Sequence, residues 1–325
     1  MSFLKSASVL TVAAALSITS AGFASHARAA DMPVKAVPVI GPSAPLDVHG
    51  FVDYTIASNR VTGGGLYLYP RGTLSQINGK VSLDLYKDPT GFINSVSIYG
   101  GVWNEFWSNA PAGTRSWQEM DMYAGVSFGF AKSWNLTTEY VSFNFPTGLP
   151  TASNYVFTLG YDDSGWGLPV AFNPYVTLFY NGAGGSTVVY GKRSGGYRVT
   201  VGVSPSFTPF KGVPLSLTVP ISYVFGPSDF WNRADGTTNV CGTTGTLPCA
   251  TSSSGMFSAG LQAKYSLESV IPKRLGNWYV KGGVQYYHIY NEALLAGQVA
   301  TGAVTSYANA KRDIAVWSTG VGFSF

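Results

Sequence analysis

Charge is what this chain has least of. Only 11% of its 325 residues are Asp, Glu, Lys or Arg, where a water-soluble domain carries about 25%. Such a chain either buries most of its surface or presents much of it to something other than water. Cysteine and histidine are also sparse, at two and three residues. Past the N-terminus there is no run of about 20 apolar residues, the length a helix needs to cross a bilayer. The formal net charge of +4 drops to +2 once an N-terminal segment carrying Lys5 and Arg28 is set aside, too mild for a nucleic-acid partner.

What is present begins with an export address. Lys5 supplies a positive n-region, and Val9 to Leu16 and on to Ala24 supply a short apolar core. Ala27-Arg28-Ala29 then forms an A-x-A cleavage pattern. Residues 1–29 are read as a cleaved signal peptide, in preference to an uncleaved anchor, because the apolar core is short. Residues 30–45 carry Pro33, Pro38, Pro42 and Pro45 and read as an extended periplasmic leader. From Leu46 the pattern changes to period two, the spacing that sends alternate side chains to opposite faces of a strand.

Leu215, Leu217, Val219, Ile221, Tyr223 and Phe225 share one face, with Ser216, Thr218 and Ser222 on the other. Twelve such segments are predicted: 46–59, 72–87, 92–107, 116–131, 133–145, 153–163, 169–181, 196–207, 214–226, 255–267, 277–290 and 312–325. Alternation suits a soluble sandwich or a membrane barrel equally. The even count, the polar second face, and connections that alternate short and long favour the barrel. With no spanning helix, a closed barrel is the other backbone arrangement that satisfies every peptide group in lipid. The longest connections, 227–254 and 291–311, are expected outside, and the short turns in the periplasm. Glu139 shares parity with Val141 and Phe143, which implies a bulge or a wrong register. Pro174 and Pro220 fall inside strands and imply irregularity. Ten strands is the alternative if two segments merge.

Trp134, Trp166 and Trp278 fall near predicted periplasmic ends, and Trp107, Trp117 and Trp317 near outer ends, the heights of two interfacial girdles. At the end of the chain, Val321-Gly322-Phe323-Ser324-Phe325 resembles the C-terminal signal by which outer-membrane barrels are handed to their assembly machinery. Ala30-Asp31-Met32-Pro33-Val34-Lys35-Ala36 resembles the mature start of alphaproteobacterial porins and small outer-membrane proteins. Met120 to Val126 is loosely similar to TorF-type putative porins. These resemblances imply a closed antiparallel transmembrane β-barrel over 46–325 in the bacterial outer membrane. The implied partners are outer-membrane lipid and the assembly machinery, with Phe323 and Phe325 as the assembly signal.

Cys241 and Cys249 lie in the longest connection, and an exported pair so spaced is expected to close a disulfide. His49 and His288 fall at opposite ends of the predicted barrel, so they cannot form a catalytic cluster. No catalytic, metal-binding or cofactor-binding residue is assigned, and an enzyme is not expected. The polar faces of strands 1 to 6 carry Asp53, Asp84, Glu105, Glu119, Asp121 and Asp162, with Lys80 among them. Strands 8, 10 and 11 carry Arg198, Lys264 and Lys281. Two readings stand side by side. The wall is charge-divided around an open passage for small polar solutes or ions, or interior salt bridges plug a narrow lumen. A non-conducting structural or surface-binding barrel is the functional alternative, and an outer-membrane lipid-modifying enzyme, disfavoured by the histidine positions, a further one.

Overall fold

The computed structural model describes residues 47–68, 72–110, 115–148, 151–168, 170–184, 195–231 and 252–325. The proposed signal peptide, the leader and the Cys241–Cys249 pair lie outside these residues. Twelve antiparallel strands close into a barrel. They are β1 (Asp47–Ala57), β2 (Leu74–Lys87), β3 (Ile93–Trp107), β4 (Trp117–Phe130), β5 (Trp134–Asn144) and β6 (Ala152–Tyr161). The second half comprises β7 (Tyr175–Gly184), β8 (Tyr197–Val203 and Ser206–Phe207) and β9 (Leu215–Thr218 and Ile221–Phe225). It is completed by β10 (Ser254–Ser266), β11 (Asn277–Ile289) and β12 (Asp313–Ser324). Each strand pairs with its neighbours in sequence. β12 returns to β1, with Phe51 opposite Ser324 and Ala57 opposite Ser318. Gly50 and Phe325 exchange both backbone hydrogen bonds at 3.0 Å, so the chain end completes the seam.

Of the two prolines expected inside strands, Pro220 interrupts one without shifting it. Pro220 has no N–H to give, yet Thr218 opposite Gln262 and Ile221 opposite Ala259 lie in one continuous register. Pro174 falls just ahead of β7. β5 carries no irregularity either: its pairing with β4 and β6 runs in step throughout, with Gly125 opposite Glu139 and Glu139 opposite Val156. The bulge or register error expected at Glu139 is therefore corrected. Glu139, Val141 and Phe143 all face inward, and the reason lies in what they pack against.

Alternate residues are exposed large apolar side chains, as at Val48, Val52, Val81, Met122, Leu261 and Val284. Their inward neighbours are mostly polar, as at Asp53, Thr55, Gln76, Ser82, Thr177 and Ser258. Aromatic rings band the exterior. Phe92, Phe130, Trp134, Tyr161 and Trp166 contact one another in series at the end of the short turns. Trp278, Phe323 and Phe325 continue the band there. Tyr140, Tyr155 and Tyr180 form a second series nearer the long-loop end. Trp107 departs from the girdle expectation, because it points inward and donates its indole N–H to Glu105 Oε1 at 2.8 Å.

Candidate functional site: the lumen and its plug

The lumen has two unlike halves. At the long-loop end three segments fold inward. The connection after β1 forms a small hairpin, pairing Arg60–Val61 with Tyr67–Leu68. Phe230 and Trp231 follow β9, and helix α1 (Glu292–Ala300) follows β11. Leu66 and Phe230 are 0% exposed and Trp231 1%, values typical of a soluble core. The Trp231 indole donates to Gly64 O at 2.9 Å, tying the second segment to the first. Gly65 holds a positive φ of 95°, and a Cβ there would sit 2.7 Å from Leu294 of α1, so glycine lets hairpin and helix touch.

The plug meets the wall all the way round. Val141, Val156 and Phe179 face it from β5 to β7, and Val224, Met256, Ile289 and Ile314 from β9 to β12. Ala57 and Leu74 meet it from β1 and β2. On β8, Arg198 lies 4.4 Å from the centroid of Phe179, whose ring also meets Phe230 edge-on. The apolar parity of β5 is thus explained: Val141 and Phe143 look into the barrel because an apolar plug, not water, lies there.

On β3 and β4 the contact is ionic. Arg60 is 4% exposed and donates to Glu105 Oε1 at 3.1 Å and to Glu119, with its guanidinium 4.7 Å from the Trp103 centroid. Glu105 also accepts from Gln76 Nε2 at 3.0 Å. Asp121, fully buried, follows Glu119 by two residues on the same face.

Helix α1 is fastened at both ends. Asn291 caps it, accepting from Ala293 N at 3.0 Å, and Nδ2 donates to Ser252 O and Ser254 O. Gln298 donates to Lys311 O at 2.7 Å and accepts from Lys311 N at 2.8 Å. Tyr307 and Arg312 both donate to Glu292. The Tyr307 hydroxyl and the Arg312 charge hold the Glu292 carboxyl below the usual carboxylate range. Burial and the Glu292 carboxylate push the Tyr307 hydroxyl up to about 12.

The short-turn half carries no inserted segment among the described residues. Asp53 accepts from the Tyr279 hydroxyl at 2.6 Å and pairs with Lys281 at 3.2 Å, across the seam where the two halves of the wall meet. Lys264 lies 3.8 Å from the Tyr279 centroid and Lys80 3.8 Å from that of Tyr99. Hydroxyl pairs line the rest, Thr158 with Thr177 at 3.0 Å and Ser222 with Ser258 at 2.9 Å. At the mouth, Lys87 bridges Asp84 at 2.6 Å and Asp47 at 2.9 Å, beside His49.

Nine of the ten candidate lumen charges therefore stand on inward faces: Asp53, Lys80, Asp84, Glu105, Glu119, Asp121, Arg198, Lys264 and Lys281. Asp162 is corrected. It lies past the end of β6, exposed, where its carboxylate accepts from Ser164 N at 3.0 Å. Its neighbour Asp163 is the buried one, accepting from Phe172 N and Asn173 N at 2.9 Å each, which holds the turn open for longer than predicted. Sequence reading missed Arg60, Phe230, Trp231 and Leu294, and set Glu139 aside. The apolar parity of Val141 and Phe143 was the available signal that something apolar occupies the lumen. His288 points outward at the long-loop rim, its Nδ1 2.7 Å from Asp313 Oδ1, which also accepts from Tyr286.

A closed barrel with an apolar exterior, aromatic bands and a polar interior is a membrane-spanning β-barrel, and the arrangement points to an outer membrane. No family model and no curated protein matches the chain. Solved structures similar to it include an outer-membrane channel from Pseudomonas putida F1, 11% identical with a TM-score of 0.48, covering 90% of this chain and 100% of that one. The NanC porin is 10% identical with a TM-score of 0.36 over 86% and 99% of the two chains. Outer membrane phospholipase A from Escherichia coli is 12% identical with a TM-score of 0.38 over 85% and 92%. The fold assignment rests on the strand pairing itself.

Proposed function

We propose that this chain is a porin-like outer-membrane channel for small polar solutes or ions, with its long loops outside and its short turns in the periplasm. The hairpin at Arg60–Leu68, the Phe230–Trp231 pair and α1 seal its outer half. One observation carries the reading: the inserted plug is made of loop segments, whereas the wall beneath them turns mostly polar side chains inward. Loop segments can be displaced without opening the β-ladder, so a closed and a conducting state are compatible with one barrel. Phe323 and Phe325 serve as the assembly signal. The exterior His288–Asp313 pair joins β11 to β12 at the rim and has no catalytic part.

Reconstitution in planar bilayers tests the channel. The full chain is expected to show rare, small steps, and a Phe230→Ala/Trp231→Ala variant larger and more frequent ones. Silence from both overturns the reading. The filled outer half favours a second one, a non-conducting barrel that presents its loops to a surface partner. Deleting residues 230–252 would then abolish partner binding while both forms stay silent.

A further inference from the structure

We infer that the unsealed barrel selects cations, and that Arg60 is the residue that withholds this selectivity while the plug is in place. The inference rests on the channel reading above and adds the class of solute.

The outer half of the lumen is an acidic arc. Glu105 on β3 stands directly opposite Glu119 on β4 in the strand pairing. Asp121 lies two residues further along β4. All three are at most 7% exposed, whereas Glu139 on β5 lies further toward the short turns, opposite Gly125, whose partner on β3 is Tyr99. Like charges directly opposite on a sheet destabilise it, and a desolvated carboxylate needs a counter-charge. Arg60 supplies one, donating to both Glu105 and Glu119.

That counter-charge does not belong to the wall. Arg60 is carried in by the hairpin, whose tip is held by Trp231 and by Leu294 of α1. Whatever displaces the tip withdraws the guanidinium and leaves the carboxylates facing water. Among the described residues, the other inward cation at this height is Arg198, across the lumen and stacked on Phe179. Lys80 lies four residues from Gln76 toward the short turns, and Lys281 is already paired with Asp53. Lys264 sits opposite Lys281, likewise in the inner half. The passage a solute enters from outside is therefore lined by three carboxylates on two adjacent strands. A narrow low-dielectric mouth of one sign concentrates ions of the other.

The test measures reversal potentials in planar bilayers under a KCl gradient. A barrel with residues 60–68 replaced by a short Gly-Ser linker is expected to prefer K⁺ over Cl⁻ by on the order of tenfold. Adding Glu105→Gln, Glu119→Gln and Asp121→Asn should bring that preference close to unity. A conducting barrel that shows no preference, or prefers Cl⁻, overturns the inference and leaves the channel reading standing. A folded barrel that stays silent overturns both. Heat-dependent gel mobility reports folding. If the linker variant does not fold, Arg60→Gln in the Phe230→Ala/Trp231→Ala background gives the same readout, and an unchanged reversal potential there sinks the idea.

Discussion

The two halves of the lumen are walled by the same twelve strands, yet they obey different rules. In the inner half, inward positions are hydroxyls, Asp, Lys and Tyr, and Tyr99 and Tyr123 lie across Gly125 and Gly101 of neighbouring strands, where a Cβ would come within 2.4 Å of the ring. In the outer half, inward positions turn apolar wherever the plug reaches them, as at Val141, Val156 and Val224, and acidic where Arg60 does. Facing inward in a barrel thus fixes no polarity by itself. Polarity follows what the inward side chain meets, other polar side chains in one half and packed apolar loop segments in the other.

Disturbing one half and then the other sharpens that contrast. The largest effect is expected from Phe230→Ala/Trp231→Ala, since removing a buried aromatic costs about 3–5 kcal/mol. Hydrogen exchange should rise across the hairpin and α1 while the strand ladder stays protected. Equal loss in the strands would mean that the plug is part of the wall's own stability. Next comes Arg60→Ala, which strands carboxylates in the interior. Breaking a buried pair by removing one partner costs about 3–5 kcal/mol, so the midpoint of heat-dependent gel mobility should fall. Glu105→Gln/Glu119→Gln added to Arg60→Ala should recover much of it.

In the inner half, Lys264→Ala is expected to cost no more than about 1 kcal/mol, because its partner is the Tyr279 ring and water reaches it. A urea titration in detergent would check this, and a loss like that of Arg60 would erase the distinction between the halves. The smallest effect concerns the fastening of α1. The Glu292 carboxyl lies below its ordinary value, so its contribution is fully present above the unfolded value of about 4.3. It is lost as the pH falls through the lower folded value. Exchange protection of residues 292–312 should hold from pH 7 to pH 5 and drop below about pH 4. A drop already at pH 6 would assign the fastening to another group.

Much of the wall is legible in the sequence. Leu215 to Phe225 reads as an outward apolar row because alternation is a local property of an extended chain. The inward charges on β1 to β4 follow from parity alone. Asp162 was misplaced because strand ends depend on side-chain contacts to the backbone, here those of Asp163, which parity does not encode. Arg60 was passed over because its carboxylate partners lie 45 and 59 residues away, and nothing in its own segment announces them. Val141 and Phe143 looked like an error of register for a similar reason. The aromatic residues that make an apolar inward face reasonable come some ninety positions later.

By itself the sequence determined a low-charge chain of twelve period-two segments ending on Phe325, and with it a barrel that turns its apolar side to lipid. Those are short-range facts, set by the pleat of each strand and the solvent on either side of it. Only the tertiary structure decided that three loop segments pack inside the long-loop half, that Arg60 rather than a wall residue pairs with Glu105 and Glu119, and that β5 is in register. Each of these depends on loops returning into the lumen, a long-range packing choice governed by close contacts such as Gly65 against Leu294 and Trp231 against Gly64.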